Sequence, residues 1–567
     1  MGERAVLAEV SDLAGVVALH AALAAEPLAG VEELVPAART VLVAFDPRRT
    51  TRAAVGDWIG RCVRSSVVGA RPGALVEVPL RYDGVDLDDT ARLLGIPAAD
   101  LVSRHAGVEW SVAFTGFAPG FAYLVSAEWP FDVPRLARPR TRVPAGSVGL
   151  AGGFSGAYPR ETPGGWRLIG TTDAVLFDPD AARPVLLPPR ARVRFVPERA
   201  VVAAAGPARA DPAATRAAAF AREDAEPAEG PTPPPAAPPG TCGAPVASAE
   251  HPASGGPDAA PASFPAGIPF AASAAAHRPG DGSRSALRVV DPGAFATVQD
   301  LGRPGRAALG IGRAGALDRE ALRVANRLVG NDEGAAGLEI ALGGFIARAE
   351  RDTWVCVTGA LVDVVVADRA VDTYAPRLVP AGAELRVGHA RASLRAYLAV
   401  RGGILAPAAL GSRAYDALAG LGPAPMRAGD VIDVGPAASA VPVLDTFPWS
   451  VPPALREVAI ADGPRADWFT ADAVSTLSRA EWTVSSDVDR VGIRLDGPAL
   501  GRARGDELPS EGMRPGAIQV PPHGRPVVLL ADGPVTGGYP VIAVVTDAAL
   551  DGLAQARPGD RLRFRRV

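Results

Sequence analysis

The chain has 567 residues, of which 48% are hydrophobic and 21% charged, and carries a formal net charge of −4. That length predicts several domains with ample core, and the near-balanced charge gives no electrostatic reason to expect nucleic acid or an anionic membrane as partner. All 58 basic residues are arginine, which excludes a lysine-bearing phosphate loop, a Schiff-base enzyme and a lysine-linked biotin on this chain.

Anion recognition must therefore rest on guanidinium forks and backbone N–H groups. Three cysteines, Cys62, Cys242 and Cys356, lie far apart, which predicts neither a disulfide framework nor a metal site. No stretch approaches the ~18 apolar residues of a membrane span. The N-terminus shows no basic region followed by an apolar run, so the expected location is the cytoplasm.

In chain order, residues 5–10 read as a strand, and Ser11 as the cap of a helix carrying Leu13, Val16, Val17 and Leu19 to about Ala25. Strands are expected at 31–36 and 40–45, a helix at 51–64 and a strand at 74–80. This βαββαβ order predicts a small α/β sandwich over residues 1–82. Two short helices follow over 85–105, ending at His105, which could act as an acid–base group or cap its helix.

From Phe114 to Gly170 the chain is dense in Gly, Pro and aromatics, with Arg135, Arg138, Arg140 and Arg142 entering together. Glycine permits positive φ and close backbone approach, while proline fixes φ and removes a donor. The segment thus predicts tight turns around a backbone-lined site within a β-barrel spanning 83–205. The same construction returns near the C-terminus. Val143-Pro144-Ala145-Gly146 leads to Tyr158-Pro159, and Val520 to Gly524 leads through Thr536-Gly537-Gly538 to Tyr539-Pro540. The shared order predicts an internal duplication.

Residues 206–285 are rich in Ala, Pro, Gly and Ser without periodicity, which predicts a disordered linker. Beyond it, residues 286–455 read as a β-rich subdomain with a turn holding Gln299, Asp300 and Arg303, and a helix over 318–329 capped by Asp318. Residues 456–567 read as a second barrel, with a helix capped at Thr470. Polar candidates cluster there: Asp487, Asp489, Arg490, Arg494, Ser510, Glu511, Gln519 and Thr536. Asp487 and Asp489 share a face if extended, which suits either magnesium or a solvated turn. Arg490 with Glu511 could be a buried pair or a substrate clamp.

These strings resemble known families. GFAPGFAYL, PRTRVPAGSVGLAGG and GAYPRETPGGWRLIGTT are similar to the B subunit of 5-oxoprolinase, the KipI or allophanate-hydrolase-subunit-1 family. TVQDLGRPG, LDREALRVANRLVGN, SDVDRVGIRLDGPAL, SEGMRPGAIQVPP and TGGYP are similar to the C subunit of 5-oxoprolinase, the KipA or biotin-dependent carboxyltransferase family. The resemblance implies a mainly β fold with α/β elements, built on duplicated cyclophilin-like β-barrels. It also implies ATP-dependent opening of 5-oxo-L-proline to L-glutamate together with a separate A subunit, magnesium accompanying the nucleotide. It is compatible with a homo-oligomer. Two rivals share the fold: the carboxyltransferase of a urea carboxylase-like system, and a KipI-type kinase inhibitor.

For the lactam reaction the expected catalytic set is His105, Arg142, Asp489, Arg490 and Glu511. The expected substrate- and nucleotide-binding set is Arg140, Gly146, Ser147, Tyr158, Gln299, Arg303, Ser510, Gln519, Thr536, Gly537, Gly538 and Tyr539. No metal ligand is expected on the protein. Against the family pattern, Ala106-Gly107 replaces two small hydroxyl residues after His105, Phe154-Ser155 replaces a common Gln and Thr, and Gly533-Pro534-Val535 replaces a longer polar stretch.

Overall fold

The computed structural model describes residues 1–65, 73–198, 284–443, 447–450 and 453–567. The described residues within 1–198 and 284–567 form one compact unit. The expected linker over 206–285 and Cys242 fall outside the described residues, apart from the linker's last two positions, which begin a strand.

The chain opens with strands β1 (Ala5–Glu9), β2 (Val31–Pro36) and β3 (Thr40–Phe45), paired antiparallel in the order β1-β3-β2. Helices α1 (Leu13–Ala25) and α2 (Arg52–Ser65) cover one face. Val16, Leu19 and Leu23 recur at helical spacing and are buried with Val55, Trp58 and Ile59. Each such side chain contributes ~1.5–3 kcal/mol on full burial. The cap of α1 is Asp12, which accepts from Gly15 N at 2.8 Å, and not the expected Ser11. A carboxylate one residue nearer the first turn reaches the free N–H groups better.

The strand Leu75–Leu80 (β4) departs from expectation. It pairs parallel with β12 (Arg192–Pro197) in the next sheet, so the α/β unit ends before residue 75 rather than at 82. Helices α3 (Leu87–Leu93) and α4 (Ala98–Gly107) then lead into β5 (Trp110–Thr115), β6 (Ala122–Val125), β7 (Arg140–Val143), β8 (Ser147–Ala151), β9 (Phe154–Ala157), β10 (Thr162–Gly164) and β11 (Arg167–Thr171). Seven strands run β4-β12-β5-β6-β9-β8-β11, and a bridge between Arg81 and Thr171 brings the two edges together. Alternation sets the faces: Val193 and Phe195 of β12 are buried while Arg194 is exposed.

The second half begins with twelve strands between Arg284–Asp291 (β13) and Val431–Val434 (β24), which form a seven-stranded and a five-stranded sheet over one core. Gly337–Ala341 (β15) and Ala392–Val400 (β22) pair within the five-stranded sheet. The helix Arg319–Leu328 carries its expected cap, Asp318 accepting from Ala321 N at 2.9 Å. A closed barrel follows, built from β25 (Leu455–Asp462), β26 (Trp482–Val488), β27 (Gly492–Asp496), β29 (Ala517–Gln519), β30 (Val527–Leu529), β32 (Val541–Val545) and β33 (Arg561–Arg566). Two short strands outside it, β28 (Glu511–Gly512) and β31 (Thr536–Gly537), pair together.

Around this barrel the order is β25-β33-β26-β27-β30-β29-β32, the order of the first barrel strand for strand. In both, the first strand pairs parallel with the last. The duplication is therefore structural, but its register differs from the one read in the sequence. β8 matches β29, so Gly146 (φ 78°) matches Gly516 (φ 89°) and not the Val520–Gly524 turn. The paired β7 and β10 match β28 and β31. Val-Pro and Tyr-Pro mark turns of both barrels, and such dipeptides do not record which turn they occupy.

Candidate functional site: the junction of the two halves

The first half presents the loop Gly116–Gly120, between β5 and β6, to the loop Ala531–Thr536 of the second. Phe117 N donates to Thr536 Oγ1 at 2.9 Å, and Gly120 N to Leu309 O at 3.3 Å. The approach is close enough to require glycine. A Cβ on Gly116 would lie 2.2 Å from Thr536 Oγ1, and one on Gly310 2.7 Å from Ala118 O. Around this contact Ala38 N donates to Ser510 O at 3.0 Å, Glu33 accepts from Gly305 N and from Ala307 N (3.1 Å), and Arg4 meets Asp547 at 2.8 Å.

At one end of the contact lies a small cavity of about 10 Å³, bordered by Pro119, Gly310, Asp416, Asp532 and Val535. Both carboxylates are almost fully buried. Asp532 accepts from Arg490 Nε at 2.9 Å, from Arg490 Nη2 at 3.0 Å and from Ala417 N at 2.8 Å. Asp416 accepts from Ala419 N at 2.8 Å and from Arg303 Nη1 at 3.3 Å. Burial, and then the charge of Asp532, push the Asp416 carboxyl up to about 7, and burial also raises Asp532. Two carboxyls in one desolvated place disfavour a second negative charge, so the pair holds a proton close to neutral pH.

The arginines belong to a network that joins the second half's sandwich to its barrel. Arg490 also donates to Glu339 and to Gly315 O (2.6 Å). Glu339, on β15, is further met by Arg395 at 3.5 Å and by the Tyr397 hydroxyl at 2.7 Å. Burial opposes the charge of Arg490, but Asp532 and Glu339 outweigh it and raise its pKa. Arg160 of the first half is half-buried near Asp416 and Tyr415; desolvation lowers its pKa and Asp416 opposes that.

The other end of the contact is aromatic. Tyr123 stacks on Phe114 at 4.3 Å and meets the edges of Phe121, Phe154 and Trp166. Its hydroxyl faces those of Ser510 and Thr536 across the junction, and Arg135 lies near enough to act on it electrostatically. Burial raises the Tyr123 hydroxyl and pushes Tyr158 up to about 12. Gln519 Nε2 reaches Met513 Sδ at 3.4 Å, and a Cβ on Gly537 would lie 2.7 Å from it. Glu511 is bound by Arg465, which also meets Glu9 at 3.1 Å, while Glu511 Oε2 is buried without a hydrogen-bond partner.

The structure thus gathers Ser510, Glu511, Gln519, Thr536, Gly537 and Gly538 beside the junction, with Tyr158 in the aromatic cluster. Arg303 and Arg490 serve the acidic end. Gln299 borders it through Nε2 to Tyr415 O at 3.1 Å, its Oε1 buried without a partner. The expected Arg490–Glu511 pair does not form, because the two point to different partners, Asp532 with Glu339 and Arg465 respectively.

Other expected residues stand apart. His105 is fully buried between Tyr82 Oη and Ser155 Oγ, each 2.8 Å away, and among Trp110, Trp129 and Phe195. Burial pushes it down to about 3, so the ring is uncharged near neutrality. Arg142 is 74% exposed and pairs with Glu161, and Arg140 pairs with Asp86 at 2.7 Å. Gly146 and Ser147 form a turn under Tyr158, whose N–H donates to Ser147 O at 2.9 Å, and Tyr539 is exposed. Asp489 caps a turn by accepting from Val491 N and Gly492 N, and Asp487 pairs with Arg494, the solvated-turn alternative. Among the described residues no group of three or more His, Cys, Asp or Glu is placed to hold a metal.

Asp416, Asp532, Glu339, Arg395, Tyr123 and Arg160 were not singled out by the sequence. Asp416 is a lone acid in a loop, and Glu339 sits in the apolar strand string LEIAL, where its charge is itself a signal: a carboxylate among buried residues must find a cation.

Comparison with known proteins agrees with this architecture. Residues 1–187 match the family described as carboxyltransferase domain, subdomain C and D, and residues 309–566 match carboxyltransferase domain, subdomain A and B. The chain is 37% identical over 286 residues to the C subunit of 5-oxoprolinase from Haemophilus influenzae, covering 50% of this chain and 91% of that protein. It is 33% identical over 198 residues to the B subunit of 5-oxoprolinase from Bacillus subtilis, covering 31% and 81%. Urea amidolyase of Lachancea kluyveri is 33% identical over 308 residues, 49% of this chain but 17% of that protein. The solved structure of TTHA0988 superposes with a TM-score of 0.76 at 32% identity, covering 99% of both chains. The chain therefore belongs to the carboxyltransferase-domain family, with a region like the B subunit of 5-oxoprolinase and a region like its C subunit within one polypeptide.

Proposed function

We propose that this chain is the joined B and C component of an ATP-dependent 5-oxoprolinase, opening 5-oxo-L-proline to L-glutamate together with a separate A subunit. The observation that carries this reading is the junction itself. Loops from both halves interlock there, with two buried carboxylates at one end of the contact and a cluster of hydroxyl groups at the other.

The chemistry needs both. A lactam amide is a poor electrophile, so ATP phosphorylates its oxygen, releasing ADP. Water then adds to the activated carbon and the C–N bond opens, leaving the amine and an acyl phosphate, which a second water hydrolyses to the carboxylate and inorganic phosphate. Tyr123, Ser510 and Thr536 offer hydroxyl groups to the oxygen that gathers negative charge. Asp416, whose carboxyl burial and Asp532 push up to about 7, suits transfer from the attacking water to the departing nitrogen. Arg135 and Arg138 are exposed and form no ion pair among the described residues, which suits the phosphates or the substrate carboxylate. Magnesium would enter with the nucleotide. The urea amidolyase resemblance supports a second reading, in which the same junction takes a carboxyl group from biotin on a separate carrier.

The test is glutamate release from 5-oxoproline and ATP by the purified chain, with the A subunit present or omitted. Glutamate formed only with both proteins, with a raised KM in Arg135→Gln, is the expected result. No glutamate with ATP left unconsumed would overturn the reading and make carboxybiotin the next donor to supply.

A further inference from the structure

Away from the junction, a groove of about 440 Å³ runs along the seam between the second half's sandwich and its barrel. The sandwich contributes Arg391 and Ser393 at the start of β22; the barrel contributes Arg456, Arg557, Gly559 and Asp560. Three guanidiniums meet two carboxylates, Asp560 inside and Asp363 at the rim, 2.7 Å from Arg391, so the groove keeps a net positive charge.

The donors are held in place and only partly used. Arg456 directs Nε to Asp560 at 3.2 Å and Nη2 to Gln555 O at 3.3 Å, which leaves Nη1. Arg557 directs Nη1 to Ala390 O at 3.1 Å and Arg391 O at 3.4 Å, which leaves Nε and Nη2. The Asp560 oxygen that binds Arg456 also accepts Arg557 N at 3.0 Å, so the one interior carboxylate is occupied in fixing the arginines. Ser393 is 4% exposed and sits at φ 65°, where the register of β22 against its neighbour shifts. A non-glycine residue keeps such a backbone only where its surroundings enforce it.

We infer that this groove is a second anion site, which takes a phosphate group between Arg391 of the sandwich and Arg456 and Arg557 of the barrel. Guanidinium forks from two bodies match a tetrahedral dianion better than a single surface pair would. Filling the site neutralises the excess charge and ties the two subdomains together. The phosphate has two possible sources, the free ion or the terminal phosphate of a nucleotide. The site stands independently of the function proposed for the junction.

The experiment titrates the full chain with inorganic phosphate, and separately with ADP, at ionic strength held constant with chloride, following heat of binding and Tm. The expected result is a saturable rise in Tm with phosphate. Its apparent affinity should fall at least tenfold in Arg391→Gln, whose side chain is 60% exposed and whose loss leaves the fold intact. Arg557→Gln should act alike, and Arg494→Gln, a surface arginine on another strand, should titrate as wild type. ADP binding with the same Arg391 dependence would identify a nucleotide phosphate as the ligand; dependence seen only with phosphate would identify the free ion. A titration that does not saturate, or that Arg391→Gln leaves unchanged, overturns the proposal, even where phosphate binds at the junction.

Discussion

Single side chains carry very unequal weight in this molecule. Arg490 is almost fully buried between Asp532 and Glu339, so Arg490→Met takes from Asp532 its paired arginine and leaves Glu339 with Arg395 alone. Removing one partner of a buried pair costs ~3–5 kcal/mol; denaturant unfolding should show a loss of that size. Arg142→Gln, at an exposed pair, should stay within ~0.5 kcal/mol in the same assay. Asp416 gives a pH signature. Its folded-state pKa of about 7 stands above the ~3.9 of an unfolded aspartate. Its contribution to stability is complete below pH ~4 and lost as pH rises through 7. Unfolding of wild type and Asp416→Asn, compared from pH 4 to 7, should show wild type losing ground by up to ~1.4 kcal/mol per pH unit. A constant difference would show that Asp416 is charged throughout. What the sequence could disclose at this scale was limited. Ser510, Glu511 and Thr536 lie in Gly- and Pro-dense strings that mark a built loop, whereas Asp416 acquires its character from burial and then from Asp532, more than a hundred positions away.

Elements were more legible than residues, since alternation and capping are local. The helix at Arg319–Leu328 and the cap at Thr470 follow from spacing alone. The partner of β4 does not, because a strand's sequence records burial on its faces but not which sheet buries it. The turn glycines test the corrected repeat. Gly146 and Gly516 both have positive φ, but an added Cβ would meet Thr172 O at 2.2 Å in the first and Val545 O at 3.0 Å in the second. Gly146→Ala and Gly516→Ala should each cost ~1–3 kcal/mol for the left-handed backbone, with Gly146→Ala the worse. Thermal unfolding of the two variants decides this, and the opposite ranking would argue against the equivalence.

For the whole molecule, the junction defines what must stay together. Its contacts are made by residues within 1–198 and 284–567, so segments of those bounds, co-expressed as separate polypeptides, should co-elute in a one-to-one complex. Gly116→Val should abolish co-elution, since its side chain would occupy the space of Thr536. Failure of the unaltered pair to associate would mean that the covalent connection supplies the assembly.

The parallel pairing of each barrel's first strand with its last has a consequence for how the protein is made. β25 cannot find its parallel partner until β33 has been synthesised, and β4 must likewise wait for β12. Such long sequence separations slow folding, and a chain growing at ~5–20 residues per second exposes unpaired strand edges for several seconds meanwhile. The first barrel can close while the second is still being translated. The emerging Glu33 and Gly116 surfaces then offer a finished template on which the later loops dock. Order of synthesis thus becomes order of assembly, and a chain with the two halves exchanged in sequence would meet its slowest step without that template.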